Sequence, residues 1–508
     1  MRSTAFLLMF ITTISKITGF IREVFFGYFM GTTAIKDIYV TSTKIPSIIF
    51  GFIFTAVITS FIPVYNRVLR SEGEEKAHKF TSNLSNILFV IAAVLVLFTF
   101  IFARPLTKLF AIGWTGAKLD YAVTFTRIVS VSVFATAFNT PFDGYLNIKD
   151  DFTNPAINGI IMNIVLIISC SIAAASHNWI ILAFGFVISY FVKYIHYIPA
   201  LRKKNYKHQF IIDFKDPRIK ELILLSLPII ISVAALDLSS IVDQTLASTL
   251  AREGAISSLD YAVKTIKLVS GIVVVSIVTT AFPHFAKLAE EGKIRKLKFE
   301  FKKSLVSTML IIIPAVFGLM FLANPIIRLI YQRGAFDATS TLLTGGALKF
   351  YAACLIGDAT TMLVNRVFYS LGDMKTPVKI TFLQVAVDIP LNFVLSSFMG
   401  LNGLALSTTI GQLASAGFAI YMLKKKIGKL GFMDAAISFG KMTLASLIMG
   451  LVALGVFNSL VSINFHLALF LAILLGAIIY FILILFSQIT EVKRIVNHIY
   501  HKIVKRNK

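Results

Sequence analysis

Basic side chains interrupt the apolar stretches of this 508-residue chain, at positions where a charge is costly. Lys16 and Arg22 lie in the first apolar stretch, and Lys264 and Lys267 lie three residues apart on one helical face of a later one. A charged side chain at the centre of a membrane span costs roughly 2.5–3.5 kcal/mol on insertion scales. Such residues therefore favour a solvated cavity, a membrane surface or an ion pair. Cations gathered around a cavity would attract a multivalent anion such as a lipid diphosphate.

The stretches that carry these cations have the length and composition of membrane spans. Hydrophobic residues make up 57% of the chain and the mean hydropathy is +0.82. A helix of about 20 apolar residues crosses a hydrocarbon core of about 30 Å. We therefore predict an all-α polytopic membrane protein with about fourteen transmembrane helices. The predicted spans are residues 5–27, 34–63, 80–103, 119–142, 154–175, 180–200, 220–247, 257–283, 304–323, 341–370, 377–398, 402–423, 436–460 and 465–487.

The connections between these spans carry positive charge on one side of the membrane. The even-numbered connections and the two termini hold 32 lysines and arginines when Lys220 and Lys379 at the span edges are included, whereas the odd-numbered connections hold six. Because cytoplasmic loops are enriched in lysine and arginine, both termini are predicted to be cytoplasmic in a bacterial inner membrane. The net charge of +24 is then explained by membrane topology, and a nucleic-acid partner is not expected.

The chain also resembles itself at an offset of about 220 residues. Residues 60–63 (Ser-Phe-Ile-Pro) correspond to residues 280–283 (Thr-Ala-Phe-Pro), and residues 105–109 correspond to residues 325–329. Each repeat holds six spans, so the two repeats have the same orientation in the membrane. This pattern predicts two six-helix bundles related by a parallel repeat, with two extra C-terminal helices, and favours a carrier that works by alternating access.

Four segments follow from the repeat and from the charges. Residues 1–203 are predicted to form the N-terminal bundle and residues 217–426 the C-terminal bundle. Residues 434–488 hold spans 13 and 14, and residues 490–508 read as an amphipathic cytoplasmic helix that lies on the membrane surface.

Eleven cations remain at membrane depth or at its edge. Lys36, Lys193 and Lys441 are near span ends and are expected to snorkel to a surface. For any of the others, an ion pair with an acid such as Glu23 or Asp260 remains an open alternative to substrate binding. The predicted substrate-binding residues are Lys16, Arg22, Asp37, Lys44, Lys264, Lys267 and Arg366.

Span 11 carries an oxygen-rich face. Gln384, Asp388 and Asn392 follow one another at four-residue spacing, and Asp237 and Asp243 lie on span 7. Such a face can hold Na⁺ or pass on a proton, although a structural polar network is equally compatible with it.

Nothing in the sequence indicates an enzyme. An intramembrane transferase would need a constellation of histidines and carboxylates at one membrane face, and six of the eight histidines fall in predicted connections or in the tail. The two cysteines, Cys170 and Cys354, lie in apolar stretches and read as core residues. No organic cofactor is expected.

Several short stretches resemble one family. They are residues 15–23 (Ser-Lys-Ile-Thr-Gly-Phe-Ile-Arg-Glu), Asp37 followed by residues 44–46 (Lys-Ile-Pro), residues 331–337 (Tyr-Gln-Arg-Gly-Ala-Phe-Asp) and residues 372–379 (Gly-Asp-Met-Lys-Thr-Pro-Val-Lys). They resemble the MurJ (MviN) family of lipid II flippases, within the multidrug/oligosaccharidyl-lipid/polysaccharide exporter superfamily. The resemblance runs from the first span to about span 12.

This resemblance implies a monomeric carrier that flips an undecaprenyl-diphosphate-linked precursor, lipid II, to the outer leaflet. By resemblance, Lys16, Arg22 and Lys264 are the cavity cations that meet the diphosphate, and Asp37 is their acidic partner. Spans 13 and 14 would form a groove for the lipid tail. Where family members have a sodium site, the matching residues here are Asp243, Gln384, Asp388 and Thr408.

The chain departs from the family pattern at three places. Lys16 stands where the family has an arginine, which keeps the charge but loses the bidentate fork. Phe50 and Gly51 replace an arginine pair, and Val263 replaces the acid before Lys264. Two alternatives therefore stay open: a flippase for another lipid-linked oligosaccharide, and a drug/cation antiporter of the same fold. The cationic residues argue against the antiporter.

Overall fold

The structure is a computed structural model that describes residues 2–250, 252–489 and 492. The secondary structure of these residues is helical throughout, which confirms the all-α fold class. The predicted surface helix over residues 490–508 lies outside the described residues, apart from residue 492.

Eight helices come from the first sequence repeat. They are α1 (Arg2–Met30), α2 (Ala34–Glu72), α3 (Glu74–Ile101), α4 (Ala103–Phe110), α5 (Gly116–Ser130), α6 (Ser132–Ile148), α7 (Thr153–Ala175) and α8 (Ile180–Lys203).

The second repeat gives the same series of helices, followed by two more. They are α9 (Pro217–Thr249), α10 (Ala255–Glu290), α11 (Ile294–Phe321), α12 (Ala323–Tyr331), α13 (Ala338–Tyr351), α14 (Cys354–Ser370), α15 (Lys375–Met399), α16 (Leu401–Ile427), α17 (Met433–Leu460) and α18 (Phe465–Phe486). The interruption between α3 and α4 at Phe102 recurs between α11 and α12 at Leu322, at the offset of the sequence repeat. The helix pattern thus repeats along with the sequence.

Every predicted span falls on one helix or on two consecutive helices. Among the described residues, ten segments are long and apolar enough to cross a membrane, and α13 with α14, bent by 44°, would make an eleventh. The total of fourteen is consistent with this result and stays a prediction.

The described helices group into two compact units. The first holds α1 to α9, the chain up to Ser257 and the segment Tyr331–Ser340, and the second holds the remaining described residues. In the first unit α1 packs on α7, and α2 packs on α9. In the second unit α15 packs on α16, and α17 packs on α18 and α11. The bundle limits predicted at residues 203 and 217 follow the sequence repeat rather than contacts, and they stay a prediction.

Each unit buries its own apolar core. In the first unit the aromatic rings of Phe61, Tyr65, Phe80 and Tyr145 are fully buried between α2, α3 and α6. Gly144 lets α6 approach α2 here, because a β-carbon at this position would lie 2.6 Å from the Phe61 ring. In the second unit a smaller cluster includes Leu322, Ala468 and Ala472. These cores fix the helices that carry the polar side chains described next.

Candidate functional site

Four polar residues of the first unit form a buried network, here called the Glu23 cluster: Arg22, Glu23, Lys36 and Asn163. The Glu23 carboxylate accepts hydrogen bonds from Arg22 Nη2 at 2.6 Å and from Lys36 Nζ at 3.2 Å. Arg22 Nη1 also donates to Asn163 Oδ1 at 2.9 Å. The cluster therefore joins α1, α2 and α7.

The prediction for Lys36 was wrong. Its side chain is fully buried rather than directed to a surface. Its ammonium lies 4.8 Å from the centre of the Phe26 ring and 5.3 Å from that of Tyr39. Aromatic faces attract cations, so together with Glu23 these rings make burial of the charge tolerable. The prediction used only the position of Lys36 near a span end, which gives no information about the aromatic rings and the carboxylate around its ammonium.

Asn163 was missed by the sequence analysis. Its amide nitrogen donates to Ser15 O and to Thr18 Oγ1, at 3.3 and 3.2 Å, so it binds α1 as well as Arg22. Gly159 allows this close packing, because a β-carbon at this position would lie 2.2 Å from Ser15 Oγ. An asparagine in the middle of an apolar span was the available signal.

Of the other two cations predicted in the first unit, Lys16 is exposed and Lys44 is partly buried. Lys16 lies on α1, about one and a half turns before Arg22. Lys44 lies on α2 and donates from Nζ to the backbone oxygen of Ser240 on α9, at 3.3 Å. The predicted substrate-binding role of both residues stays a prediction.

Asp37 is buried and is bound mainly to backbone. Oδ1 accepts from the Ser257 N–H at 2.9 Å, and Oδ2 accepts from the Gly254 N–H at 3.1 Å and from Lys118 Nζ at 3.3 Å. Gly254 has φ of 82°, and a β-carbon there would lie 2.0 Å from Thr32 O, so only glycine fits. The hydrogen bonds in the structure give Asp37 a structural role beside the binding role predicted for it.

A polar cavity of about 290 Å³ opens inside the first unit, between α2, α6 and α8. Its lining includes Phe50, Gly51, Asp143 and Lys193. Lys193 donates to Asp143 at 3.1 Å, and the Tyr197 hydroxyl donates to the same carboxylate. Lys193 was expected to snorkel, but its ammonium lies on this carboxylate instead.

In the second unit, Lys264 pairs with Asp260 one turn earlier on α10, with 2.7 Å between Nζ and Oδ2. Both side chains keep more than a fifth of their surface exposed, 27% for Lys264 and 21% for Asp260. Lys267 is exposed on the same helix, and the Arg366 guanidinium lies 5.2 Å from the centre of the Phe282 ring. The second unit thus presents three of the predicted cations.

The residues of the predicted sodium site fall in both units. Asp243 lies on α9 in the first unit, whereas Gln384, Asp388 and Thr408 lie on α15 and α16 in the second. Asp388 is buried and accepts from Asn392 Nδ2 at 3.4 Å, and the Ser407 hydroxyl donates to Asn392 Oδ1. Thr408 donates to the backbone of its own helix. Asp388 is therefore a buried carboxylate beside Asn392, and its role in a sodium site stays a prediction.

An apolar groove of about 500 Å³ lies in the second unit between α11, α17 and α18. Its lining includes Leu319, Ile326, Ala472 and Phe481, together with Gly318 and Gly476. The Tyr480 hydroxyl reaches across to the backbone oxygen of Leu310 at 2.8 Å. The groove is formed by the two helices that lie beyond the sequence repeat, together with α11.

The sequence profile of the family described as lipid II flippase MurJ matches residues 26–476. This chain belongs to that family. A probable lipid II flippase MurJ of Rickettsia prowazekii (strain Madrid E) is 26% identical over 429 residues, which cover 84% of each chain. The lipid II flippase MurJ of Burkholderia cenocepacia is 24% identical over 425 residues, which cover 82% of each chain.

Solved structures agree with this membership. A structure of lipid II flippase MurJ in an inward closed conformation matches with a TM-score of 0.81 at 25% identity, covering 94% of this chain and 98% of that one. An inward-facing multidrug resistance MATE transporter matches with a TM-score of 0.69 at 14% identity, covering 84% and 99%. The second match shows a shared fold alone. The chain is a multi-pass bacterial membrane protein of the MurJ family, as its motifs predicted.

Proposed function

We propose that this protein flips lipid II, the lipid-linked precursor of peptidoglycan, from the cytoplasmic to the outer leaflet by alternating access. The family match over residues 26–476 carries the proposal, because it covers twelve of the fourteen predicted spans in full and part of the last. Such a carrier moves its cargo without making or breaking covalent bonds, so the protein acts as a transporter rather than an enzyme.

The buried and half-buried cations support an anionic cargo. Arg22 keeps 18% of its side chain exposed and Lys264 keeps 27%, so both can reach a ligand while they are held by a carboxylate. A diphosphate that competes with Glu23 or Asp260 would bind through charge-assisted hydrogen bonds. Lys36 is fully buried, and it would act by holding Glu23 rather than by touching the cargo.

The apolar groove suits the other end of such a molecule. A polyprenyl chain is apolar, and each methylene that it buries contributes about 0.8 kcal/mol. The groove of about 500 Å³ between α11, α17 and α18 is lined almost entirely by aliphatic and aromatic side chains. We propose that it holds part of the lipid tail.

The decisive experiment is made in bacteria depleted of their own lipid II flippase. Expression of this chain is expected to restore growth and to make lipid II accessible to a reagent that acts only at the outer leaflet. Chain that reaches the membrane at normal levels but leaves lipid II inaccessible would refute the proposal. Restored export of a different lipid-linked glycan in the same cells would favour the oligosaccharide alternative.

We further propose that transport is coupled to Na⁺ or H⁺ at Asp388, with Gln384 and Thr408 as further oxygen donors; the role predicted for Asp243, which lies in the first unit, stays a separate prediction. Sodium chloride is expected to raise the melting temperature of the purified protein above that measured in choline chloride, because a ligand that binds the native state stabilises it. Asp388→Asn should remove this difference. Equal melting temperatures for the unsubstituted protein in both salts would exclude Na⁺ and leave the proton.

Two finer features belong to the same proposal. The 32 to 6 division of loop cations supports a cytoplasmic location for both termini. The protein is proposed to work as a monomer, since each chain contains both repeats and the groove. Reporter fusions at each terminus and mass measurement in detergent test the two statements separately.

A further inference from the structure

The connection between α8 and α9 is a non-helical segment fixed to the side of α3. This segment, residues 204–216, is called the strap. Asn86 Nδ2 donates to the backbone oxygens of Gln209 and Ile211 at 2.8 and 2.9 Å. Asn83 donates to Asp213 O at 2.9 Å and accepts from Asp213 N at 2.7 Å. The two asparagines thus bind the strap backbone as a neighbouring β-strand would.

Side chains of the strap add to this attachment. His208 Nε2 lies 2.9 Å from Asn86 Oδ1, and its Nδ1 lies 3.2 Å from the Tyr206 hydroxyl. The Tyr206 hydroxyl in turn lies 3.0 Å from Ser82 Oγ. Because backbone and side chains are both bound, the strap has one defined conformation.

That conformation presents three large apolar side chains outward. Phe210, Ile212 and Phe214 alternate along the extended segment and are 95%, 55% and 59% exposed. Alternate residues of an extended chain point to the same side. Phenylalanine and isoleucine are seldom displayed together on a fixed loop unless something covers them.

The strap lies at the level where the hydrocarbon core begins. Helix α3 ends at Ile101, and counting back about 20 residues, the length of a span, reaches Ser82. Ser82, Asn83 and Asn86 are the residues that hold the strap. Exposed leucines and isoleucines of α9 follow within a few residues of its other end, at positions 223–225.

The same segment carries exposed positive charge. Lys203, Lys207 and Lys215 are exposed at or within its ends. Its acids are engaged locally, since Asp213 accepts from the Lys215 N–H and Asp216 accepts from the Arg218 backbone and guanidinium. Aromatic side chains beside lysines at this depth suit anionic lipid headgroups, which attract basic segments near the membrane surface.

We propose that the strap is a preorganised binding site for anionic phospholipid headgroups. Phe210 and Phe214 enter the interfacial layer, and Lys203, Lys207 and Lys215 contact the phosphates. The site is independent of the proposed cargo pathway, and it sets the depth of the connection between the two repeats.

The test uses the full chain in nanodiscs of phosphatidylcholine that contain increasing fractions of phosphatidylglycerol. A tryptophan placed on the strap by F210W is quenched when the phosphatidylglycerol carries bromine on acyl carbons near the headgroup. The chain without this change supplies the background from its two natural tryptophans. We expect quenching to saturate at a low fraction of phosphatidylglycerol.

Neutral lysine variants separate a charged site from simple proximity to lipid. In the F210W chain, Lys207→Gln and Lys215→Gln should each raise the half-saturating fraction of phosphatidylglycerol about fivefold. The matched pair Lys293→Gln and Lys296→Gln, exposed lysines in a connection of the second repeat, should leave it unchanged. Quenching that simply follows the bulk lipid fraction, or no quenching at all, would overturn the proposal. The latter result would direct attention to a protein partner.

A second variant tests preorganisation. Asn83→Ala removes both hydrogen bonds to Asp213 while keeping every lysine and aromatic side chain of the strap. Half-saturation should then require severalfold more phosphatidylglycerol, because the released segment loses its fixed conformation. An unchanged half-saturation point would show that the hydrogen bonds to α3 have no part in lipid binding.

Discussion

In the first unit Glu23 binds cations from two helices inside the protein, whereas in the second unit Asp260 binds a lysine one turn away on its own helix. The cations held by Glu23 are 0% and 18% exposed, compared with 27% for Lys264. A buried interhelical cluster fixes helices and is costly to break. A half-exposed pair within one helix contributes little to stability but leaves its cation accessible. Charged residues within the predicted spans thus hold helices together in the first unit and leave a cation accessible in the second.

The largest expected effect is the loss of transport when a reachable cation is removed from either unit. Arg22→Ala and Lys264→Ala should each abolish complementation of flippase-depleted cells at normal protein levels, because each removes a charge-assisted contact to the diphosphate. Growth curves and immunoblots measure this. Matched surface variants are Arg104→Ala and Lys293→Ala, which lose ion pairs of 2.7 Å on exposed side chains. Normal growth of both site variants would remove the case for an anionic cargo.

The next largest expected effect is a difference in folding stability between substitutions of Glu23 and of Asp260. Glu23→Gln leaves Arg22 and Lys36 without the carboxylate that both bind, which should destabilise the protein by about 3–5 kcal/mol. Asp260→Asn, at a half-exposed pair, should cost about 1 kcal/mol or less. Denaturation in detergent, followed by circular dichroism, gives both values. Equal losses would show that burial does not distinguish the two sites.

A smaller effect is expected from a substitution in the apolar groove of the second unit, which should weaken binding of the cargo's lipid tail. A β-carbon at Gly318 would meet no atom within 4 Å, so Gly318→Leu can fill the groove without disturbing the backbone. Displacing a leucine-sized part of the tail should weaken cargo binding by about 1.5–3 kcal/mol. Binding of lipid II to the purified protein measures this. Gly455→Leu is the control, because that glycine also has open space but lies outside the groove lining. Unaltered affinity for the Gly318 variant would argue that the tail lies elsewhere.

The smallest effect concerns the strap of the first unit and its dependence on pH. Burial lowers the pKa of His208, so the neutral ring is favoured while the strap is bound to α3. Once released, the ring has a pKa near its ordinary value of about 6.5. The bound strap should therefore be fully stable above that pH and lose stability as the pH falls through it, by about tenfold per unit at most.

Hydrogen exchange at the Asp213 amide, which donates to Asn83, measures this opening. His208→Asn should flatten the part of the dependence that comes from this ring. If amides of the second unit showed the same pH dependence of hydrogen exchange, the effect could not be assigned to the strap of the first unit.

Hydrophobic length, loop charge and the internal repeat were enough to predict the helices and the duplication, and the short motifs predicted the family. Periodicity could not show the interruptions of the helices at Phe102 and Leu322, because apolar residues continue across them. It also misplaced Lys36, since the ring and carboxylate that receive the ammonium come from another helix. Asn83 and Asn86 resemble ordinary polar residues in the sequence because their partners are backbone atoms far along the chain, and His208 does so because its partner Asn86 is equally distant. Distance along a span predicts depth, whereas the direction of a side chain depends on tertiary neighbours.

The attachment of the strap also orders events during synthesis. Asn83 and Asp213 are 130 residues apart, so their hydrogen bonds cannot form until the ribosome has completed α3 to α8 and the segment beyond them. These bonds can first form once the first repeat is complete. Attachment of the strap therefore requires the whole of that repeat but none of the helices after α9.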